Sequence, residues 1–367
     1  MTRPRLRDLG LTVGWLPSGP HNGISDVEGV AVGHTTLVSG EGPLRPGEGP
    51  IRTGVTVIVP HNGNLFRQKV RGAVHTINGF GKVYGFEEVR ELGVIEAPIA
   101  LTNTLNVALV ADAMAQYAIR HSPEIGITTS SVNTVVGETN DGYLNDLQGR
   151  HVRAEHVWKA VEAATTGPVE EGAVGAGAGT TCFGWKGGIG TASRVLPEEG
   201  GGYTVGALVQ SNFGRSQELL VTGVPVGRHI LPPGVGEKAA GGGGSVMVVL
   251  ATDAPLDARQ LGRLCVRAGA GLARTGSTHG HGSGDFVIAF STAVRVDHTP
   301  TAMEAMLPVV ANEGRAMAWL LPAVVECVEE AVLNSLFRAE TMTGRDGHTI
   351  QALPVGQVVE MCQRYRR

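Results

Sequence analysis

The chain has 367 residues, 42% hydrophobic and 17% charged, a balance that is typical of folded proteins and argues against disorder or a coiled coil. Its formal net charge of −4 and the lack of any basic run argue against nucleic acid as a partner. No run of about 18 apolar residues occurs, and the first residues lack the apolar centre of a signal peptide. We therefore expect no membrane partner and a cytoplasmic location.

Glycine is the unusual component, at 54 residues or about 15% of the chain against ~7% in average proteins. The glycines follow no fixed period, which favours tight turns and close backbone packing over a collagen-like or linker sequence. They are densest at residues 172–190 (GAVGAGAGTTCFGWKGGIG). This glycine block imitates a phosphate-binding loop but lacks the GxxxxGK[ST] pattern, so we expect close packing there and no cofactor.

Strand and helix patterns follow one another without a regular βαβ rhythm. The predicted elements of the first two thirds are, in chain order, strands at 30–37 and 53–60, helices at 106–120 and 151–164, and strands at 204–210 and 219–224. An unbroken apolar, largely β-branched run then starts at Ser245 (SVMVVLATD) and predicts a fully buried strand.

The last third predicts more helix. Asp257 is a predicted N-cap, and the helix after it carries one apolar stripe. The residues of that stripe are Leu261, Leu264, Cys265, Ala268 and Leu272. Residues 285–292 predict a strand and residues 301–336 one or two long helices. This mixture indicates an α+β layered-sheet protein with a single domain over residues 1–367.

The spacing of cysteine and histidine does not indicate a metal site. The four cysteines lie far apart without CxxC spacing, which disfavours zinc or a disulfide framework and predicts small buried side chains. They are Cys182, Cys265, Cys327 and Cys362. His279 and His281 in THGHG resemble a ligand pair, but no third ligand stands nearby, so we expect no metal.

Four glycines, residues 241–244, stand directly before Ser245. Such a run is ordinarily a flexible turn, and that interpretation stays open. The alternative is self-cleavage, because residues without Cβ tolerate the strained geometry in which the Ser245 hydroxyl attacks the Gly244 carbonyl. Hydrolysis of the resulting ester would leave a free α-amine, with a reference pKa near ~8, beside the hydroxyl that it helps to deprotonate.

Several motifs occur in order along nearly the whole chain. They are RLRDLGLTVGWLPSGPHNGISDVEGVAVGHTT, VVGETNDGYLND, GAGAGTTCFGWKGGIGTASR, VQSNFG, GGGGSVMVVLATDAPL, LARTGSTHGHGSGDFVIAFST, TMTG and DGHTIQALP. Together they resemble the peptidase family that contains L-aminopeptidase D-Ala-esterase/amidase and the β-aminopeptidases. The resemblance implies a four-layer αββα sandwich, shared with ornithine acetyltransferases. It also implies self-cleavage between Gly244 and Ser245 into an α chain (1–244) and a β chain (245–367), and a homo-oligomer of these heterodimers.

The resemblance implies catalytic roles for four side chains. Ser245 is the nucleophile, and Ser283 with Asp285 supplies a second serine and an acid, one methylene shorter than the glutamate of β-aminopeptidases. Asn212 in VQSNFG matches the amide that donates to the oxyanion. From their local sequence alone, Ser283, Asp285 and Asn212 are equally compatible with turns.

Three further residues are implied at the substrate's amine end. Glu138 in GETNDG matches the carboxylate that holds the free amine, although its local sequence is also compatible with a solvated loop charge. Asn140 stands where some members carry an aromatic residue and would face the amine end of the ligand. Tyr143 offers a hydroxyl as a substitute.

The sequence therefore predicts a serine aminopeptidase or amidase that hydrolyses the N-terminal residue of a small peptide, amino-acid amide or ester through an acyl-enzyme on Ser245. Alternatives stay open. An acyltransferase or an endo-acting amide hydrolase on the same fold would ordinarily carry threonine as nucleophile. A non-catalytic binding or assembly protein would keep the fold without the chemistry.

Overall fold

A computed structural model describes residues 3–233 and 243–365. The strands in these residues are β1 (Ala31–Ser39), β2 (Ile51–Val59), β3 (Gln68–Gly79), β4 (Val94–Ile95), β5 (Ile99–Asn103), β6 (Val135–Thr139), β7 (Thr181–Cys182), β8 (Trp185–Lys186), β9 (Ile189–Val195), β10 (Thr204–Asn212), β11 (Gly243–Thr252), β12 (Gly282–Asp297), β13 (Met342–Thr343) and β14 (Thr349–Ile350). The helices are α1 (Phe86–Leu92), α2 (Val107–His121), α3 (Ala154–Glu162), α4 (Ala258–Arg274), α5 (Glu313–Arg338) and α6 (Val355–Tyr365). None of these helices is both long and apolar enough to cross a bilayer.

Two sheets organise the molecule. Sheet 1 has the strand order β1-β2-β5-β6, and sheet 2 has the order β4-β3-β12-β11-β10-β9. β11 lies inside sheet 2, parallel to β12 and antiparallel to β10. Its side chains from Val246 to Ala251 are at most 1% exposed, which confirms the buried strand that the run after Ser245 predicts.

Apolar side chains cover both faces of each sheet. One cluster joins the two sheets, and Met247 and Val249 of β11 belong to it. A second cluster packs α2 and α3 against the outer face of sheet 1. A third packs α4 and α5 against the outer face of sheet 2, and it includes Val246 and Val248. Because side chains alternate along a strand, β11 therefore has an inter-sheet side and a helix side.

Most of the predicted elements are confirmed, with small shifts at their ends. Asp257 caps α4, since its Oδ1 accepts a hydrogen bond from Gln260 N at 2.7 Å, and the whole predicted apolar stripe of that helix is buried. The four cysteines are buried thiols, as their scattered positions predict.

One predicted element is wrong, and another begins later than predicted. Residues 219–224 form a tight turn instead of a strand, because Thr222 and Gly223 adopt left-handed φ angles of 49° and 82° and the chain reverses there. Residues 301–312 are not helical, and α5 starts only where the Asn312 side chain accepts from Arg315 N. The Asn312 cap defines this start, because its side chain accepts from a backbone N–H of the first turn that has no partner within the helix.

Close packing explains the glycine block. A Cβ on Gly190 would lie 1.9 Å from the carbonyl oxygen of Ala331, and one on Gly188 would lie 2.0 Å from that of Gly172. Neither position has room for a side chain, because real Cβ atoms do not approach backbone atoms so closely. The expected close packing of residues 172–190 is confirmed at these positions.

Candidate active site

Ser245 lies near the start of β11 and is 3% exposed. It pairs with Asn212 of β10 on one side and with Gly284 of β12 on the other. By alternation its side chain points to the inter-sheet side, as Met247 does. Gly243 and Gly244 already belong to β11, so the strand is extended through the Gly244–Ser245 bond. Residues 241 and 242 of the glycine run lie outside the described residues.

Two N–H groups converge on the Ser245 hydroxyl. Asn212 Nδ2 and the backbone N of Asn140 each donate to Ser245 Oγ at 3.1 Å. The other amide atom of Asn212, Oδ1, accepts from Thr181 N at 2.9 Å. Since a backbone N–H can only donate, this contact orients the amide so that its NH₂ group points at the serine. Oγ is thus held by donors from both sheets.

Asp285 forms a second cluster with its neighbours. Ser283 Oγ donates to Asp285 Oδ1 at 2.5 Å, and His279 Nδ1 lies 2.9 Å from Asp285 Oδ2. The carboxylate is 1% exposed, and both of its oxygens are engaged. The hydrogen bond to Asp285 raises the pKa of His279, although partial burial opposes the shift.

The Ser283–Asp285 pair lies on the helix side of sheet 2, opposite to Ser245 Oγ. In the parallel register of β11 and β12, Ser283 stands beside Gly244, and Gly284 stands beside Ser245. Ser283 and Asp285 point to the same side as Val287, which packs under α4 and α5. The pair therefore flanks the Gly244–Ser245 peptide group and not the serine hydroxyl.

Glu138 lies at the other edge of the site, on β6, and is 3% exposed. Its Oε1 accepts from Lys82 N at 3.0 Å, and its Oε2 accepts from Thr104 Oγ1. Burial raises the pKa of this carboxyl, and the two hydrogen bonds oppose the shift. Gly81 lies between Glu138 and Gly284 of β12, the strand beside Ser245. A Cβ on Gly81 would lie 3.2 Å from Glu138 Oε1 and 3.1 Å from Gly284 Cα.

The turn after β6 carries the other two predicted substrate residues. Asn140 contributes its backbone N to Ser245, while its side-chain Oδ1 accepts from Gly142 N at 2.9 Å. Tyr143 is 51% exposed, and its ring stacks on His348 with 4.4 Å between centroids. The described contacts of Tyr143 therefore place it in the turn and not on Ser245.

Several contacts of the site had no signal in the sequence. In the sequence, the spacing of His279 suggests only a metal ligand, yet its Nδ1 faces Asp285. Residues 3–233 and 243–365 contain no cluster of three metal-ligating side chains. The donors from Asn140 N and Lys82 N are backbone groups, so no residue type marks them. Thr104 reaches Glu138 from the short 3-10 turn between β5 and α2, and only the pairing of β5 with β6 brings the two together.

Known proteins match the chain over most of its length. Residues 22–350 match the sequence profile of peptidase family S58. A β-peptidyl aminopeptidase, BapA, from Sphingosinicella microcystinivorans is 41% identical over 376 aligned residues, which cover 99% of this chain and 93% of that protein.

Solved structures agree with the sequence match. The PH0078 protein from Pyrococcus horikoshii OT3 superposes with a TM-score of 0.93 at 46% identity, covering 99% of this chain and 100% of that one. L-aminopeptidase D-Ala-esterase/amidase from Ochrobactrum anthropi superposes with a TM-score of 0.89 at 38% identity, covering 100% of this chain and 99% of that one. That protein is described as a prototype for the serine aminopeptidases and a variant of the Ntn hydrolase fold. The resemblance seen in the sequence motifs is confirmed, and the chain belongs to peptidase family S58.

Proposed function

We propose that this chain is a self-processing aminopeptidase or amidase with Ser245 as its nucleophile. The observation that carries the proposal is the convergence of Asn212 Nδ2 and Asn140 N on Ser245 Oγ, directly after Gly244 in a buried strand. The family membership and the relatives named as aminopeptidases support the reaction class. Small peptides, amino-acid amides or esters with a free amine are the proposed substrates.

Self-cleavage comes first in this mechanism. Ser245 Oγ attacks the carbonyl carbon of Gly244, and its proton passes to the departing Ser245 nitrogen, so that an ester replaces the amide. Water then hydrolyses the ester and leaves the Gly244 carboxylate and the Ser245 α-amine. Ser283, oriented by Asp285, stands beside the peptide group that changes, and we assign it to holding the nitrogen and passing its proton.

Turnover uses the new amine as the base. The amine takes the proton of Ser245 Oγ as the oxygen attacks the substrate carbonyl, and returns it to the leaving group when the tetrahedral intermediate collapses. Asn212 Nδ2 and Asn140 N lie close enough to Oγ to donate to the oxyanion of a carbonyl bound there. The Glu138 carboxylate binds the substrate's ammonium group, and water releases the acyl group from the serine.

We infer that the layers α2–α3, sheet 1, sheet 2 and α4–α5 form a four-layer αββα sandwich of the aminopeptidase and ornithine acetyltransferase type, in one domain over residues 1–367. Cleavage into 1–244 and 245–367 would not separate the products. β11 and β12 of the second chain lie between β10 and β3 of the first, so sheet 2 spans both chains. Assembly of several such heterodimers is also proposed.

The test combines intact mass with activity. Wild type should yield a fragment that begins at Ser245 and should release p-nitroaniline from one of α-L-, α-D- or β-aminoacyl p-nitroanilides. Ser245→Ala should stay at full length and lose activity. Ser291→Ala, which changes a buried serine in the second half of β12, should be cleaved and active like wild type. The proposal is contradicted if wild type stays at full length or if Ser245→Ala keeps its activity. If wild type and Ser245→Ala behave alike and neither is active, a binding protein is favoured.

A further inference from the structure

Lys186 is a fully buried lysine that the proposed mechanism does not use. Its Nζ donates to the carbonyl oxygens of Gly177 and Thr180 at 3.0 Å and of Gly187 at 2.8 Å. These three bonds use all three N–H groups of an ammonium. Burial lowers the pKa of Lys186 to about 7, and the Asp141 carboxylate opposes this shift. The glycine block is therefore folded around one lysine side chain, whose three carbonyl partners favour the protonated form that burial disfavours.

One of these carbonyls belongs to a peptide group that also contacts the active site. The Thr180–Thr181 peptide presents its C=O to Lys186 Nζ and its N–H to Asn212 Oδ1, at 2.9 Å. In a trans peptide the C=O and N–H point in opposite directions, so this single planar group bridges Lys186 and Asn212. Asn212 in turn donates through Nδ2 to Ser245 Oγ.

We propose that Lys186 is a positioning residue that acts on Ser245 through the Thr180–Thr181 peptide and the Asn212 amide. This role rests on the proposed function of Ser245 and Asn212. The ammonium polarises the peptide carbonyl, which strengthens the Thr181 N–H and, through it, the Asn212 Nδ2–H that faces the reacting oxygen. Together with Gly187 N, which donates to the same Thr180 carbonyl at 3.1 Å, Lys186 also holds the plane of the Thr180–Thr181 peptide, as a supporting group must if the site is to keep its geometry.

Lys186→Met removes the charge and the donors at nearly constant length. We expect kcat to fall about 10- to 100-fold with KM within about threefold, because a weaker oxyanion donor acts on the transition state. Thr275→Val is the matched control, since it removes a buried hydroxyl that donates to the Leu272 carbonyl at 2.7 Å and lies outside the proposed relay. Its kcat should stay within about twofold of wild type, with a loss of stability of the order of one hydrogen bond.

A double-mutant cycle distinguishes positioning from loop support. If Lys186 acts through Asn212, Lys186→Met causes no further loss of kcat in an Asn212→Ala background. If the two losses multiply in the double variant, the proposal is overturned. A kcat for Lys186→Met equal to that of Thr275→Val overturns it as well. The rate of Gly244–Ser245 cleavage, followed by intact mass over days, extends the cycle to variants whose turnover is too slow to measure.

A second measurement begins with the wild-type protein and does not depend on turnover. In wild type labelled with ¹⁵N-asparagine, the Asn212 side-chain protons, assigned by their loss in Asn212→Ala, should resonate downfield of those of solvent-exposed asparagines. An ordinary exposed shift overturns the proposal. In Lys186→Met the same signals should move upfield toward the exposed values, and unchanged signals in that variant overturn the proposal. This comparison reports the coupling of Lys186 to Asn212 even if Ser245→Ala stays active, so failure of the proposed function and failure of this inference give different results.

Discussion

Gly244 and Ser283 lie side by side in the parallel pairing of β11 and β12, so the Ser283–Asp285 pair stands beside a peptide bond and not beside the Ser245 hydroxyl. The atom that this pair can serve is the Ser245 nitrogen, which is an amide before the proposed cleavage and an amine after it. A group that assists this nitrogen should affect self-cleavage and turnover together.

Replacement of Ser283 tests this arrangement. Ser283→Ala removes the hydroxyl that donates to Asp285 Oδ1 and should slow both self-cleavage and turnover about 10- to 100-fold, as expected when a proton relay is lost. Intact mass gives the cleavage rate, and initial rates on the processed fraction give kcat.

The control for Ser283 lies on the same strand. Ser291 is also buried in β12, and its Oγ donates to the Ala254 carbonyl at 2.6 Å. Ser291→Ala should lower the free energy of unfolding by about 1 kcal/mol and leave both rates unchanged. Wild-type cleavage by Ser283→Ala would show that the pair has only a structural role.

The sequence predicts those parts of the molecule whose signal is local. The capping of α4 by Asp257 and the burial of β11 follow from residues adjacent in the chain, and both are confirmed. The apolar residues of 219–224 predict a strand, but two left-handed residues, Thr222 and Gly223, reverse the chain there.

The site was less accessible to sequence reasoning, because strand register determines which residues meet. The residue types of Ser283 and Asp285 do not reveal that they lie on the helix side of sheet 2, opposite to Ser245. The link from Lys186 to Asn212 runs through a backbone peptide, and the second donor to Ser245 is the backbone N of Asn140. Backbone donors have no sequence signature, so only the three-dimensional arrangement identifies them.

Glu138→Gln should separate substrate binding from self-cleavage. A neutral amide of the same shape keeps contacts with Lys82 N and Thr104 but no longer pairs with an ammonium, so kcat/KM should fall about 100-fold, mainly through KM. Cleavage at Gly244 involves no substrate amine and should proceed at the wild-type rate. Equal slowing of both reactions would instead indicate general disruption of β6.

Glu88 is expected to limit stability at alkaline pH. Burial, and then repulsion from Glu96, raises the pKa of Glu88 from its ordinary 4.5 to about 7, and its Oε2 has no hydrogen-bond partner in the described structure. The folded state thus holds this proton more tightly than the unfolded state, so the stability falls as pH rises through that window.

Glu88→Gln should therefore raise Tm at about pH 8 and change it little below about pH 4.5. Glu87→Gln is the matched control on the same turn of α1, because that side chain is 86% exposed. Thermal unfolding at both pH values measures the difference. A Tm gain that is equal at the two pH values would contradict the assigned titration.

His279 should show a pH dependence of the same sign as Glu88, because its pKa is also raised in the folded state. The hydrogen bond to Asp285 Oδ2 raises its pKa above 6.5, so the folded state favours the imidazolium. The contribution of His279 to the free energy of unfolding is full below its ordinary pKa and is lost as pH rises through its folded-state pKa. The Tm difference between wild type and His279→Gln should be largest below about pH 6.5 and shrink at higher pH. His281→Gln, two residues away at an exposed position, should give a curve parallel to wild type, and a pH-independent difference for His279→Gln would mean that the ring only fills space beside Asp285.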